Sequence, residues 1–241
     1  MTEPISHHEK VDDTVLADLR TLDTPTVCNA LELTSPERRD NGFTISPLVC
    51  TRPDLPPMVG FARTATISAL VPDSVRGSAA REKRDGYYEY MGSGPRPTIT
   101  VIQDMDGDRR GFGAWWGEVN SSIHKGLGSL GVITDGSVRD LPDIIEGFQM
   151  LAGSVGPSHA YIHVEQYQCD VEIFGMKVRH GDLIHADQHG AVVIPIEVAA
   201  KVKAAAETIA ANERVIIDAS RQPGFDMEAL RAAWADLEEI H

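Results

Sequence analysis

The sequence predicts a mixed α/β fold in one domain, and three observations predict it. Helical spacing marks both ends, with Val15, Leu16, Leu19 and Leu22 near the start and Val198, Val202, Ala205 and Ile209 near the end. Between them lie short runs rich in β-branched residues, among them Val59–Leu70, Thr98–Gln103 and Gly131–Thr134. No repeat, low-complexity tract or linker divides the 241 residues, a length that suits one sizeable core.

The elements follow in order. After the first helix, Thr24-Pro25 reads as N-cap and first residue of a second helix through Leu31, because proline has no N–H to lose there. A polar, proline-bearing stretch runs to Pro57, and Val59–Leu70 is the first long strand. Arg81–Met91 is charged and aromatic and reads as a helix. Gly92–Pro97 is a turn before the strand Thr98–Gln103. Glu118 heads another helix. Glycines then lead into the apolar strand Gly131–Thr134, with a turn expected at Asp135-Gly136. Asp140 is placed as the cap of a helix through Glu146, and Phe148–Ala152 as a strand. Short strands follow over Val171–Val178, Leu183–His185 and Ala191–Ile194, divided by the turns His180-Gly181-Asp182 and Asp187–Gly190. Pro195 opens the long helix. Asp226 caps a last one, with Leu230, Trp234 and Leu237 as its stripe.

Composition narrows the function classes. A net charge of −14 opposes nucleic acid or an acidic membrane as partner, since both require a basic face. It leaves room for small anions, because a bound cation and one arginine reverse the sign locally. The three cysteines, Cys28, Cys50 and Cys169, are widely spaced without zinc-type pairing, so they are expected to be reduced. The polar start MTEPISHHEKVDD has no apolar signal core, and no run reaches the length of a membrane span. A soluble, cytoplasmic protein is expected.

Three patterns carry chemistry on paper. Gly126-Leu127-Gly128-Ser129-Leu130-Gly131 matches G-x-G-x-x-G. A nucleotide or S-adenosylmethionine site needs that motif after a strand and before a helix, and here the order is reversed, so it reads as a helix C-cap. His185, Asp187 and His189 could ligate a transition metal, but Asp187–Gly190 reads better as a turn in which the aspartate bonds its own backbone. His159, Tyr161 and His163 alternate as a polar strand face or subunit contact would. Trp115-Trp116 either shields a pocket or is ordinary core.

The third pattern is the strongest. Glu118 at a helix head, Arg139-Asp140 just beyond a buried strand, and Asp143 combine acids with one arginine where α/β folds place ligands. Arginine's planar fork suits a carboxylate, and aspartate supplies the hard oxygen that Mg²⁺ prefers. The bland alternative is a capping acid plus a surface ion pair.

At these residues the chain resembles the RraA-like family, which includes the 4-hydroxy-4-methyl-2-oxoglutarate aldolases and the regulator of ribonuclease activity A. The resemblance lies in an acid, twenty residues, then Arg-Asp: here Glu118 and Arg139-Asp140, with glutamate where the family often has aspartate. Met58–Ala62, Trp116-Gly117-Glu118, Gly131–Gly136 and Gly181–Asp187 also look like family blocks. The stretch Thr26–Leu31 is similar too, with Asn29 where an aspartate is common. Coverage is about residues 20–215, with a peripheral C-terminal helix at about 226–240.

The resemblance implies an α-β-β-α sandwich, assembled as a homotrimer or homohexamer with sites in clefts between subunits. It implies a lyase using Mg²⁺ or Mn²⁺. Asp140 would ligate the metal, with Asp143 and, from a neighbouring subunit's C-terminal region, Glu213. Arg139 would hold a small 2-oxo acid, and the backbone amides of Val119, Asn120 and Ser121 would bind its carboxylate. Retro-aldol cleavage of a 4-hydroxy-2-oxo acid would then yield pyruvate, with a water oriented by or relayed through Glu118 as base. Oxaloacetate decarboxylation passes through the same enolate. The alternatives are a non-catalytic regulator binding ribonuclease E, a methyltransferase, and a lyase for a different hydroxy-oxo acid whose pocket is shaped by Asp73–Gly94.

Overall fold

The computed structural model describes residues 11–235 and residue 237. The polar N-terminal stretch 1–10, and positions 236 and 238–240 of the expected last helix, lie outside the described residues. The chain opens with α1 (Asp13–Leu19) and α2 (Thr24–Thr34), then β1 (Val49–Cys50), β2 (Met58–Ser68), α3 (Gly77–Met91), β3 (Thr98–Asp104), β4 (Ala114–Trp116), α4 (Glu118–Gly126) and β5 (Ser129–Val138). It continues with β6 (Gln149–Val155), β7 (His163–Tyr167), β8 (Val171–Ile173), β9 (Met176–Val178), β10 (Leu183–Asp187), β11 (Gly190–Ile194), α5 (Val202–Ser220) and α6 (Met227–Ala235). Among the described residues no helix is long and apolar enough to cross a membrane.

One curled sheet runs β1-β6-β5-β3-β2-β10-β11, with β4 added beside β5 and β7 beside β2. The stretch β2-β3-β5-β6 is parallel and the flanks are antiparallel. Strand periodicity explains how the curl is filled. In β2, Met58 and Ala62 face the concave side, while Val59, Phe61, Ala65 and Ile67 face outward. The concave core is closed by the β8–β9 hairpin, through Val171, Ile173, Met176 and Val178. Outside, α1, α2 and α5 cover β2, β10 and β11, and α3 and α4 cover β2, β3, β5 and β6. Helix, sheet, returning sheet and helix form the expected α-β-β-α sandwich. β2 is buried along nearly its whole length because helices and hairpin cover both its faces.

Local chemistry corrects several expected boundaries. The N-cap of α2 is Asp23, whose Oδ1 accepts the Thr26 N–H at 2.9 Å, and Thr24 is the first helical residue. Aspartate is the stronger acceptor, which leaves the Thr24 hydroxyl for another partner. The long last-third helix begins at Val202, after a 3₁₀ turn at Ala199–Lys201, and not at Pro195. The alternation of His159 and Tyr161 precedes a strand that starts only at His163. The stripe of α6 includes Ala233 as its buried residue, while Trp234 is half exposed. The cysteines are free.

The main correction concerns β5. It does not stop at Thr134 but runs to Val138, so Asp135-Gly136 is strand and not turn. Asp135 is buried, with Oδ1 accepting the Asp104 N–H from neighbouring β3 at 2.7 Å and Oδ2 lying 3.6 Å from Arg110 Nε. Asp104 in turn accepts the N–H groups of Asp106 and Gly111. These carboxylates hold the loop from β3 to β4 in place of the turn expected at Asp135.

Burial pushes the Asp135 carboxyl up to about 6, against backbone and Arg110 contacts that pull it down. A folded value above the unfolded one means that this group favours folding at low pH and loses that contribution as pH rises towards 6. Asp135→Asn keeps an acceptor for the Asp104 N–H and removes the charge. It should raise the unfolding free energy at pH 8 relative to pH 4, by up to about 3 kcal/mol. Denaturant titrations at the two pH values check this, and an equal effect at both would contradict the buried-charge account.

Candidate active site

The Glu118–Asp140 region is assembled by the exit of β5. After Val138 the Arg139 N–H donates to Trp116 O at 2.9 Å, continuing the β4–β5 pairing by one residue. Asp140 then turns the chain with φ 53°, a left-handed conformation that aspartate tolerates better than most residues. The expected helix from Asp140 to Glu146 is a single 3₁₀ turn, Leu141–Asp143, and the Asp140 side chain does not cap it. That side chain points to the head of α4. Its Oδ2 accepts the Glu118 N–H at 3.3 Å, and its Oδ1 lies 3.4 Å from Arg139 Nη1.

Gly117 makes this contact possible. It is the extended N-cap of α4, and a Cβ there would stand 2.4 Å from Asp140 Oδ2 and 3.2 Å from Arg139 Cγ. The glycine is required for close approach and not for an unusual dihedral, a role that sequence reading missed although Trp116-Gly117-Glu118 was singled out.

The head of α4 also exposes donors. The helical acceptors for the Val119 and Asn120 N–H groups would be the carbonyls of Trp115 and Trp116. Trp115 and Trp116 lie in β4 with strand geometry, so neither bond forms, and their carbonyls accept Asn120 Nδ2 at 2.7 Å and the Arg139 N–H instead. First-turn amides carry partial positive charge and attract anions. The Ser121 N–H behaves differently. It bonds Gly117 O inside the helix, and the side chain is fully buried with Oγ donating to Glu118 O. Of the three amides expected to bind a carboxylate, those of Val119 and Asn120 have no helical partner, and the Ser121 amide is already claimed by the helix.

The acids separate into two groups. Glu118 is exposed at the first position of α4, and Asp143 is exposed one turn after Asp140, with its N–H donating to Asp140 O at 2.9 Å. Asp135 belongs to the buried Asp104–Arg110 group. Glu213 is exposed on α5, which packs on α1, α2 and α6. Among the described residues no three His, Cys, Asp or Glu side chains converge as a metal cage, so Asp140, Asp143 and Glu213 do not form one within a chain. The Asp140 carboxylate fits a looser mode. Its contacts are long, its side chain is 31% exposed, and Mg²⁺ commonly takes one or two carboxylates while water and substrate fill the remaining positions.

The other motifs resolve as structure. His185 is fully buried: its Nε2 sits 3.2 and 3.1 Å from the Leu19 and Leu22 carbonyls, which it must donate to, so Nδ1 accepts from Thr24 Oγ1 at 3.0 Å. Asp187 accepts the N–H groups of Thr24 and His189. His185 and Asp187 thus tie the α1–α2 corner to β10. Gly126 ends α4 and Gly128, at φ +95°, leads into β5, as the reversed glycine motif predicts. Trp116 is core, beside His124 and Phe148, while Trp115 is half-buried.

Comparisons with known proteins agree with the fold. The RraA-like family, described as Aldolase/RraA, matches residues 24–193. No curated protein matches the chain. Among solved structures, an uncharacterized protein from Pseudomonas syringae pv. tomato is 23% identical, with TM-score 0.70 over 98% of this chain and 100% of that one. RraAS2 of Streptomyces coelicolor, described as an unusual member of the RNase ES inhibitor RraA protein family, is 23% identical, with TM-score 0.64 over 86% and 96%. A protein from Geobacillus kaustophilus described as an S-adenosylmethionine: 2-dimethylmenaquinone methyltransferase is 19% identical, with TM-score 0.51 over 71% and 94%. At such identities these likenesses establish the fold.

Gly117→Ala tests the construction of the site. Its backbone is extended, so alanine should fold with a loss of no more than about 2 kcal/mol. The new methyl should displace the Asp140 carboxylate, and the Glu118 amide should lose its acceptor. Amide proton chemical shifts check this, and an unmoved Glu118 resonance would contradict the role given to Gly117.

Proposed function

Because the chain belongs to the RraA-like family, we propose that it is a divalent-metal-dependent lyase cleaving a 4-hydroxy-2-oxo acid to pyruvate by a retro-aldol reaction. Oxaloacetate decarboxylation is proposed as a second reaction. The observation that carries the reading is the Asp140 carboxylate, held between the Glu118 amide at the head of α4 and the Arg139 guanidinium over the bare Cα of Gly117.

Asp140, with Asp143 one turn on, would hold Mg²⁺ or Mn²⁺. When bound, the cation supplies Lewis acidity towards the oxygens of a 2-oxo acid. The chain's own residues do the rest. The amides of Val119 and Asn120 take the substrate carboxylate. Arg139 places a fixed positive charge where negative charge grows as the C3–C4 bond breaks, a contribution typically of about 3 kcal/mol. Glu118, exposed at the head of α4, orients or relays the proton leaving the C4 hydroxyl. In decarboxylation the same groups act, with CO₂ leaving in place of the carbonyl fragment.

Glu118 and Asp143 are exposed, and the apolar residues Val119, Ile123 and Ile145 are exposed near them in the chain. That supports a cleft completed by another subunit in a trimer or hexamer, where the partner's α5 could bring in its Glu213 equivalent. Light scattering should give a discrete mass of three or six chains. A mass near the 26.2 kDa of one chain across a wide concentration range would count against shared sites.

Asp140→Ala should abolish Mg²⁺-dependent activity, weaken Mn²⁺ binding read by paramagnetic relaxation, and leave the thermal midpoint within a few degrees. Full activity at low and saturating Mg²⁺ would remove Asp140 from the metal. Arg139→Lys keeps the charge and loses the planar fork. It should lower kcat/KM at least about tenfold, or roughly 1.4 kcal/mol, for both reactions. Unchanged rates would make Arg139 a structural ion-pair residue. If the wild type acts on no 2-oxo acid with either metal, a ribonuclease-binding regulator becomes the better reading.

A further inference from the structure

The aromatic segment Tyr87–Tyr90 of α3 reaches the head of α4. Tyr88, half-buried, donates its hydroxyl proton to Asn120 Oδ1 at 2.9 Å. The Asn120 amide nitrogen donates in turn to Trp115 O at 2.7 Å. Tyr88 is held edge-on to Tyr87, with ring centroids 5.0 Å apart, and to His124, at 5.7 Å. His124 accepts the Tyr87 hydroxyl through Nε2 at 2.8 Å and holds Asn120 O through Nδ1 at 2.7 Å. Asn120 is thus held from α3 at its side chain and from within α4 at its carbonyl.

This matters because Asn120 is one of the two residues whose N–H groups lack a helical acceptor. An asparagine amide is free to rotate unless both its ends are held, and here Tyr88 holds the oxygen while Trp115 holds the nitrogen. We propose that Tyr88 is a positioning residue of the site: acting through Asn120, it fixes the first turn of α4 so that the Val119 and Asn120 amides face an incoming carboxylate. This rests on the lyase reading for the identity of that carboxylate, and on the hydrogen bonds alone for the clamp. α3 is then part of the substrate-binding apparatus as well as an outer covering of the sheet.

The test uses Tyr88→Phe, which removes one hydroxyl and keeps the ring, together with Asn120→Ala and the double variant. The probe is oxalate, a planar dianion shaped like the enolate of pyruvate, titrated calorimetrically in Mg²⁺. Tyr88→Phe should bind it about fivefold more weakly, as expected for one lost neutral hydrogen bond, with the thermal midpoint within a few degrees. In the Asn120→Ala background the same change should cost nothing further, because Tyr88 acts through Asn120. Hydrogen exchange at the Ser121 amide, bonded to Gly117 O within that first turn, should quicken in Tyr88→Phe. Unchanged oxalate affinity, or an equal loss in both backgrounds, would overturn the inference while leaving the lyase reading standing. If the wild type does not bind oxalate, the lyase reading fails, and the clamp is then decided by Ser121 exchange: faster exchange sustains it and unchanged exchange overturns it.

Discussion

The site depends on a single close approach: the Asp140 carboxylate reaching the first amide of α4 over the bare Cα of Gly117. Asp140 can point there only because it leaves β5 in a left-handed turn, a conformation costing on the order of 1 kcal/mol even for a tolerant residue. It leaves β5 at the right height because the Arg139 N–H is fixed to Trp116 O. Strand pairing between β4 and β5, a glycine and a strained aspartate thus form one unit. Shifting any of them by a residue would send Arg139 or Asp140 to the wrong face of the sheet.

That unit sits where the topology places ligands. β3 and β5 are parallel neighbours, and their C-terminal ends carry Asp104, Asp135, Arg139 and Asp140. The same end is used in two ways. The inner pair, Asp104 and Asp135, is buried and consumed by backbone N–H groups and Arg110. The outer pair, Arg139 and Asp140, stays partly in solvent. What separates a structural carboxylate from an available one is how many donors have already claimed it.

Much of this was legible in the sequence, and the illegible parts share a cause. Apolar periodicity placed β2, β3, β6 and the terminal helices, because burying one face leaves a repeat in the chain. The Glu118 and Arg139-Asp140 spacing pointed to the residues that the fold does bring together. Asp135-Gly136 was misread because its local chemistry is that of a turn. Only the arrival of Asp104 and Arg110, 31 and 25 positions upstream, makes a buried strand aspartate tolerable. Tyr88 and Gly117 were present in plain view, yet their roles are set by partners from other elements. The Ser121 amide looked equivalent to its two neighbours until the helix claimed it.

The buried imidazole that ties the N-terminal helices to β10 gives the molecule a seam. Burial holds His185 below its ordinary range, so the folded chain resists taking up a proton that the unfolded chain accepts readily. Its support is complete above the unfolded value of about 6.5 and drains away as the solution becomes more acidic than that. Asp135 responds with the opposite sign, because acid relieves its buried charge. Mild acid therefore loosens one end of the molecule while tightening the other. The corner of α1 and α2 is expected to peel away as a cooperative piece before the parallel strands and the β3–β4 loop yield.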